Sequence, residues 1–409
     1  MRIAIVGTGV SGLVAARLLD SRHDITVFES AERIGGHVNT IPVQGPDGSW
    51  AVDTGFIVFN EKNYPLFTKL LRQIGVASQP SDMSFSVRCD RTGLEYNGTT
   101  IRTLFVQKRN ALNPAYLRMI ADIMRFNRQA PKAIRNGAAG LSLGAYLEKS
   151  GYSDRLAEHY LVPMGSALWS LPRNRVMDMP VEFFVRFFEN HGMLTVDDRP
   201  QWRVVQGGSD RYVERLVEPF KDRIRVSTPV RSVRRRPDHV LVNGERFDEV
   251  VMACHSDDAL TLLEDPTPTE REVLGAFPYQ DNEAVLHTDT RVLPHRPGAW
   301  GAWNYHLRPD EDAPVTVTYN MNVLQTLEAE QTYCVTLNPA PDLDESTVVY
   351  RTRYRHPLYT LEGMRAQGRH WEVSGVNRTH YCGAYWGYGF HEDGVRSGVK
   401  VAQTFGISL

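Results

Sequence analysis

The first 36 residues constrain the fold of this chain more than any other stretch. A β-branched run at residues 2–6 leads into the glycine-rich residues 7–12. Residues 13–19 then repeat apolar side chains at helical spacing, and residues 25–28 form a second β-branched run. Strand, glycine turn, helix and strand are the parts of a βαβ dinucleotide-binding unit, in the order that such a unit requires. The sequence therefore predicts an α/β fold with a dinucleotide site near its N-terminal strand.

The three glycines of this turn and the helix start that follows each have a structural role. Gly7 lets the chain turn sharply out of the strand, and Gly12 lets the helix pack closely on the sheet. Gly9 lacks a Cβ atom, so a pyrophosphate can approach the backbone. The helix N-terminus, which Val10 and Ser11 precede, favours the phosphate charge. These five residues are predicted to contact the cofactor.

Glu29 follows the second β-branched run, seventeen residues beyond Gly12. A carboxylate at this position can accept hydrogen bonds from a ribose diol. The alternative is a structural glycine turn in an ordinary α/β sheet, because glycine-rich turns are common.

Composition and charge exclude several classes of function. A chain of 409 residues suggests two domains, and 42% hydrophobic with 23% charged residues is normal for a globular enzyme. The formal net charge of −2 and the lack of a basic run with interleaved aromatic residues argue against nucleic acid as a partner. We expect a small-molecule enzyme.

The cysteines and apolar runs bear on location. The four cysteines are far apart and form no CxxC pair, which indicates reduced thiols rather than disulfides or a zinc site. The first strand begins at residue 2, and no window approaches the length of apolar residues that a bilayer requires. The sequence predicts a cytoplasmic protein.

Two segments of the middle region carry an open alternative. Residues 113–137 form an amphipathic helix whose charges are basic except for Asp122. It could lie on the inner face of an anionic membrane or guide an acidic substrate, but a solvated outer face is the simpler interpretation. Residues 181–188 contain four phenylalanines, which belong either to the core or to the wall of an apolar pocket.

Four separated motifs resemble one family of flavoproteins. The N-terminal unit extends through residues 29–36 to a glycine pair, and residues 206–208 open a second β-rich stretch. Residues 248–254 form a returning strand, and residues 381–384 precede a helix predicted over residues 394–405, with glycines at 394 and 398. This set is similar to the glutathione-reductase-like FAD flavoproteins, and within them to the amine oxidase and phytoene desaturase group.

The resemblance implies a Rossmann-like FAD-binding domain with an inserted α+β substrate domain. The FAD-binding domain would comprise residues 1–84, 201–259 and 371–409, and the substrate domain residues 85–200 and 260–370. FAD would be held without a covalent bond, because no counterpart of a flavin-attachment motif occurs. Val230 would lie on a strand pair that frames the adenine. Beyond the residues already named, the predicted cofactor-binding residues are Ser30, Arg33, Gly35, Gly36, His37, Gly55, Val230, Ala253, Gly383, Asp393, Gly394 and Val395.

Three positions depart from the pattern of this group. His37 stands where an arginine usually follows the glycine pair, which puts an arginine–pyrophosphate contact in doubt. Ala384 stands where an acid is common, so Glu392 and Asp393 are the candidates to replace it. Phe390 takes the place of a tyrosine of the amine oxidases' aromatic cage.

A closer likeness concerns residues 188–192, 202–209 and 389–394. These segments are similar to predicted FAD- or NAD-binding oxidoreductases that are associated with cyclopropane fatty acid synthases. The likeness implies an apolar or lipid substrate, and possible association with a lipid methyltransferase. It also implies oxidation, desaturation or isomerisation of an unsaturated or methyl-branched fatty acyl chain.

The flavin would carry the redox step by taking a hydride at N5, while the protein positions the substrate and excludes solvent. His391, Glu392 and His191 are the first candidates for an acid or base, although such residues are more often structural. His391, Glu392 and Asp393 are adjacent and cannot easily converge on one ion, so no metal is predicted. The sequence contains a single dinucleotide motif, so we do not expect NAD(P)H to bind beside FAD. The electron acceptor is then oxygen, a quinone or a carrier, and an isomerase needs no external acceptor.

Three functions remain open from the sequence. The first is a flavoenzyme of fatty acyl chains, and the second is an amine oxidase for a small amine or polyamine. The third is a non-catalytic FAD-binding partner of a lipid methyltransferase.

Overall fold

The computed structural model describes residues 1–169, 171, 173–194, 200–308, 316–339 and 342–409. The strands of this part of the chain are β1 Arg2–Val6, β2 Asp24–Phe28, β3 Thr40–Gly45, β4 Gly48–Asp53, β5 Val58–Asn60, β6 Ser78–Pro80, β7 Phe85–Cys89, β8 Leu94–Asn97, β9 Trp202–Val205, β10 Ile224–Arg225, β11 Val233–Arg235, β12 Val240–Val242, β13 Glu245–Phe247, β14 Glu249–Met252, β15 Tyr279–His287, β16 Trp303–Leu307, β17 Thr316–Asn320, β18 Cys334–Leu337, β19 Val348–Pro357 and β20 Thr379–Tyr381. The α-helices are α1 Val10–Leu19, α2 Pro65–Gln73, α3 Ile101–Leu104, α4 Pro114–Arg135, α5 Leu143–Lys149, α6 Asp154–Leu156, α7 Val162–Trp169, α8 Arg173–Asp178, α9 Val181–Asn190, α10 Asp210–Val217, α11 Ser256–Leu262, α12 Pro268–Gly275, α13 Met321–Leu324, α14 Leu361–Gln367, α15 His370–Val373 and α16 His391–Thr404.

A parallel sheet of five strands, in the order β10-β2-β1-β14-β20, forms the base of the molecule. β1 is paired on both sides and packed on both faces, and for this reason Ile3, Ala4 and Ile5 are fully buried. The predicted βαβ unit is confirmed by β1, α1 and β2. The strands come from both ends of the chain as well as its middle, so the sheet holds distant segments together.

Helix α16 packs against α1 through two glycines. A Cβ atom on Gly398 would lie 2.5 Å from the Ser11 carbonyl oxygen, and one on Gly394 would lie 2.5 Å from a Val10 methyl group. Only glycine allows helices to approach this closely without displacing the partner's backbone. The C-terminal helix is thereby fixed against the glycine turn.

A second sheet has seven strands in the order β19-β15-β18-β17-β16-β7-β8, antiparallel except for the β16–β7 pair. Helices α4 to α9 form a separate apolar cluster beside it, with Phe183, Phe184, Phe187 and Phe188 all buried. Most of the phenylalanine-rich segment is therefore core. The domain boundaries at 84, 200, 259 and 370 stay a prediction.

Two predictions of secondary structure were wrong in detail. Val230 precedes β11 and lies in a loop, because the Asn243 side chain accepts the amide N–H of Arg231 at 2.7 Å and keeps this segment out of the ladder. The last helix begins at His391 and not at Gly394, since the Asp393 carboxylate accepts the N–H of Phe390 at 3.2 Å and caps its start.

The basic amphipathic segment forms a single helix, α4, as predicted. No helix in the described ranges is both long enough and apolar enough to cross a membrane.

Candidate active site

The carboxyl ends of the parallel strands bring most of the predicted cofactor residues to one edge. Gly7 follows β1, Glu29 follows β2, Ala253 follows β14, and Gly383 comes two residues after β20. A Cβ atom on Gly7 would lie 3.0 Å from the Ala253 carbonyl oxygen, so these two turns are in contact. Ligands of open α/β sheets bind outside this edge.

The N-terminus of α1 opens onto free space. Gly9 caps the helix with an extended backbone and without a side-chain hydrogen bond, and a Cβ atom on it would meet no atom within 4 Å. The first turn, which includes Val10, Ser11 and Gly12, therefore offers backbone N–H groups and the positive end of the helix dipole to a bound group. Gly12 has the opposite environment, because its Cβ atom would lie 2.1 Å from the Gly7 carbonyl oxygen.

Hydrogen bonds fix the orientation of the Glu29 carboxylate at the end of β2. Its carboxylate accepts hydrogen bonds from the Thr8 N–H at 3.0 Å, from the Thr8 hydroxyl, and from the Ala31 N–H at 2.9 Å. The Ser30 hydroxyl lies 3.3 Å from the same carboxylate. The carboxylate is thus oriented on the side of the sheet edge where Gly9 leaves space.

The glycine pair packs over the α1 turn. Gly35 and Gly36 both adopt positive φ, and a Cβ atom on Gly36 would lie 3.0 Å from the Gly9 Cα atom. Arg33 donates to the carbonyl oxygens of Val38 at 2.7 Å and Gly36 at 2.6 Å. In this arrangement the arginine stabilises the loop rather than pointing its charge at a phosphate.

Gly55 and Asp53 connect this loop to the rest of the protein. A Cβ atom on Gly55 would lie 2.0 Å from the His37 carbonyl oxygen, so glycine is required there. The Asp53 carboxyl is fully buried and accepts from the Thr40 hydroxyl at 2.6 Å and from the Ser209 N–H at 2.8 Å. Gln325, the residue after helix α13, also donates a hydrogen bond to the Asp53 carboxyl, at 3.2 Å. Burial raises the pKa of Asp53 to about 7, although its hydrogen bonds oppose the shift.

His37 meets residues from β19 and the turn after β14. Its ring stacks on Tyr354 with centroids 5.1 Å apart, and it lies 5.3 Å from His356 and 6.2 Å from His255. Burial lowers the pKa of His37 and His255 to about 4 and that of His356 to about 3, so all three rings are neutral at pH 7. Without a bound anion, His37 supplies no positive charge in place of the missing arginine.

The two acids of the closing helix are already engaged. Glu392 accepts the N–H groups of Leu66 at 3.1 Å and Phe67 at 2.9 Å, and so caps α2. Asp393 accepts from Tyr388 at 3.0 Å and pairs with Arg396 at 2.9 Å. Both carboxylates bind backbone N–H groups. Their geometry alone therefore does not make either of them a substitute for the acid that is absent at Ala384. Val395 and Gly394 lie buried between them and α1.

His391 is held by a hydrogen bond and by stacking. Its ring stacks on Phe56 with centroids 3.6 Å apart, and its Nε2 lies 2.5 Å from the Tyr212 hydroxyl. Burial lowers the pKa of His391 to about 3 and raises that of Tyr212, so the tyrosine donates and the ring proton sits on Nδ1. Neutral His391 can offer an N–H donor but is a poor base near pH 7.

His191 occupies a different environment from His391. Its ring stacks on Phe187 with centroids 3.8 Å apart and lies 5.7 Å from the ring of Phe390, and its Nδ1 is 2.9 Å from the Phe187 carbonyl oxygen. Burial lowers its pKa to about 4. We define the aromatic cluster as the rings that meet beside it: Phe183, Phe187, Tyr359, Tyr388 and Phe390.

Unpartnered polar groups surround the closing segment. Within the described residues, the hydroxyls of Tyr359 and Tyr385 and the indole N–H of Trp386 are buried without a hydrogen-bond partner. Buried donors are almost always satisfied in folded proteins. Together with the free space at Gly9, they fit a group that brings a phosphate to one end of the site and polar acceptors to the other, as FAD does.

Sequence reasoning missed Tyr212, Tyr354 and His356. Tyr212 could have been suspected as a tyrosine just after the glycine motif at 206–208, but Tyr354 and His356 lie on a strand with no local motif. A cluster of three side chains lies near His37: His255, Asp257 and Asp258 have ligand atoms within 4.8 Å of one another. Arg355 pairs with both carboxylates, so their charge is already neutralised in part.

The parallel sheet carries a helix N-terminus that can bind a phosphate, an acid that can bind a ribose, and a closing helix. This combination defines a flavoprotein of the dinucleotide-binding class. The family described as flavin containing amine oxidoreductase matches residues 10–404. The chain belongs to this family and binds FAD. This confirms the predicted family, fold class and cofactor. The individual roles of the site residues stay predictions.

Relatives in sequence include different chemistries. The chain is 25% identical over 324 residues to an L-amino-acid oxidase of Siganus canaliculatus, covering 70% of this chain and 56% of that protein. It thus spans little more than half the length of that relative. A 46-residue segment is 41% identical to a 4,4'-diapophytoene desaturase of Staphylococcus aureus, covering 11% of this chain and 9% of that protein.

Solved structures show the same fold over the whole chain. Cyclohexylamine oxidase from Brevibacterium oxydans has a TM-score of 0.70 at 15% identity, covering 98% of both chains. A CLA-producing fatty acid isomerase from P. acnes has a TM-score of 0.69 at 14% identity, covering 99% of this chain and 98% of that one. At such low identity, these likenesses describe the fold and not the substrate.

Proposed function

We propose that this flavoenzyme oxidises, desaturates or isomerises an unsaturated or methyl-branched fatty acyl chain. The observation that carries the proposal is a surface cavity of about 340 Å³ between α4 and α9, which reaches Tyr388 of the aromatic cluster. Pro131, Ile134 and Val185 contribute apolar surface to it, next to the guanidinium groups of Arg135 and Arg186. Arg135 pairs with Glu189 at 3.6 Å and Arg186 with Glu182 at 2.5 Å. Apolar surface beside two guanidinium groups suits a fatty acid, whose carboxylate can bind a guanidinium group, better than an ammonium ion.

The chain's own residues would bind the acyl chain and keep water away from it. Rings of the aromatic cluster pack face to face, with Phe187 and Phe390 4.7 Å apart and Phe183 and Tyr359 4.8 Å apart. Such a wall offers apolar surface, and the carboxylates beside it, Glu392 and Asp393, are already bound to backbone N–H groups. FAD, when bound, supplies the hydride acceptor at N5. His391 would hold a substrate or cofactor acceptor with its Nδ1–H.

An anaerobic reaction with candidate substrates tests this proposal. Fatty acids that bleach the flavin, or leave it oxidised but return with a moved double bond by mass spectrometry, would support it. The isomerase outcome needs no external electron acceptor. Unaltered fatty acids together with bleaching by amines would refute it.

The two arginines allow a sharper version of the same test. R135Q/R186Q should raise KM for a free fatty acid severalfold while leaving KM for its methyl ester unchanged, since the ester has no carboxylate. R211Q is the matched control, because Arg211 is similarly exposed at 66% but lies on α10. An equal rise in KM for acid and ester would contradict the head-group role.

A flavin amine oxidase acting on a small amine or polyamine is the second candidate. Its support is the L-amino-acid oxidase relative and the tyrosines of the aromatic cluster, which could contact an ammonium group. Flavin bleaching by an amine panel would favour it. The non-catalytic FAD-binding protein stays the third candidate, and a flavin that no substrate reduces would favour it. Association with a lipid methyltransferase stays a proposal, which co-purification would test.

A further inference from the structure

Exposed apolar side chains concentrate on three successive helical segments. Ile101 begins α3 and is 81% exposed, and Leu112 ends the 3₁₀ turn before α4 and is 88% exposed. Leu117 and Met124 on α4 are 43% and 56% exposed. These two α4 residues are seven apart, so they share one face of the helix. Large apolar groups grouped in this way on a surface mark an interaction site.

The segment that contains these three helical elements is strongly basic. The segment 99–136 contains eight Lys and Arg residues and one acid, Asp122, in a chain whose net charge is −2. Asp122 is buried and paired with Arg118 and Arg125, so it does not offset the outer face. Arg128 and Lys132 are exposed and have no acidic partner in the described part of the chain.

The arrangement of the exposed face combines both properties. Leu117, Ala121 and Met124 form its N-terminal half, and Arg128 and Lys132 continue it toward the C-terminus at helical spacing. The opposite face is packed inward through a row of buried residues: Tyr116, Met119, Asp122, Phe126 and Ala130. Apolar groups that can enter a bilayer boundary and cations that contact phosphates are the two requirements of an interfacial helix.

We propose that α3, the following turn and α4 form a docking surface for an anionic lipid bilayer. The surface is defined by Ile101, Leu112, Leu117, Met124, Arg128 and Lys132. The bilayer is favoured over a second copy of the chain because two like-charged surfaces would repel, whereas anionic lipid is complementary in charge. This inference is independent of the substrate, since it depends only on exposed residues of α3, the following turn and α4.

Vesicle flotation of the FAD-loaded enzyme tests the docking surface. The enzyme should bind vesicles of phosphatidylcholine with phosphatidylglycerol, should not bind phosphatidylcholine alone, and should be released by salt. R128Q/K132Q should weaken binding by about 25-fold, at about 5-fold for each charge near the surface. L117N/M124N should weaken it by about 10-fold through lost apolar contact.

Matched controls separate docking from general surface effects. W371N changes an apolar residue that is 74% exposed on α15, and R211Q removes a cation from α10. Both should bind vesicles as the unaltered enzyme does, and all variants should retain the flavin spectrum. The proposal is overturned by absent binding to anionic vesicles, or by equal losses in the controls. A dimer in light scattering that L117N/M124N dissociates would also overturn it and assign the face to self-association.

Discussion

Replacing Gly9 with alanine should separate cofactor binding from folding. Gly9 has φ −63° and ψ 170°, which alanine adopts without strain, and its Cβ atom would meet no protein atom within 4 Å. The apoprotein should therefore change in stability by less than about 1 kcal/mol, because the gain through the unfolded chain opposes the poorer fit of alanine at a helix N-cap. The new methyl group occupies the space of a phosphate, and overpacking of about 1–3 kcal/mol corresponds to FAD binding that is about 5- to 150-fold weaker.

Two other glycine variants complete the experiment. G12A places a Cβ atom 2.1 Å from the Gly7 carbonyl oxygen, so it should lower the stability of the apoprotein itself. G275A lies at the end of α12 with free space around it, so it should leave FAD binding unchanged and make the apoprotein equally or slightly more stable. FAD titration of the apoprotein and urea unfolding measure the two effects. The reasoning fails if G9A binds FAD normally, or if it destabilises the apoprotein as G12A does.

Three further outcomes follow from the site. Acid precipitation should release all flavin into the supernatant, because the cofactor is predicted to be non-covalent; flavin that stays in the pellet would contradict this. Y212F leaves Nε2 of His391 without its donor and should cost about 1–3 kcal/mol in urea unfolding, with an altered pH profile of turnover; unchanged stability and profile would contradict the pairing. His191 is 9% exposed with a pKa near 4, below its unfolded value of 6.5, so its stabilising effect is complete above pH 6.5 and is lost as pH falls toward 4. H191F should therefore gain about 2 kcal/mol relative to the wild type between pH 8 and pH 5; a pH-independent difference would contradict the shift.

The sequence was sufficient for the half of the site that is encoded locally. Gly7 and Gly12 could be predicted because the turn leaves no room for a Cβ atom at either position, and Gly9 because it leaves space for a bound group. Glu29 could be placed because it ends the second strand of the same unit. The resemblance added the closing helix, although not its start at His391.

Contacts between distant segments could not be predicted. Tyr212 and His391 are 179 residues apart, and no local pattern indicates that their side chains share a hydrogen bond. Val230 was misplaced because a side-chain amide, that of Asn243, competes with the ladder for backbone N–H groups. The engagement of Glu392 with α2 depends on tertiary packing that the adjacent sequence does not encode.

The order in which strands join the parallel sheet has a consequence for biogenesis. β1 is synthesised long before the strands on one side of it: its neighbour β14 ends at Met252, and the adjoining β20 begins at Thr379. At about 5–20 residues per second, the nascent chain waits on the order of tens of seconds with one side of β1 unpaired. An unpaired strand invites aggregation, so this interval is when a chaperone would be of most use. Because α16 packs on α1 at the glycine turn, we expect the protein to retain FAD only after both sheets have been synthesised.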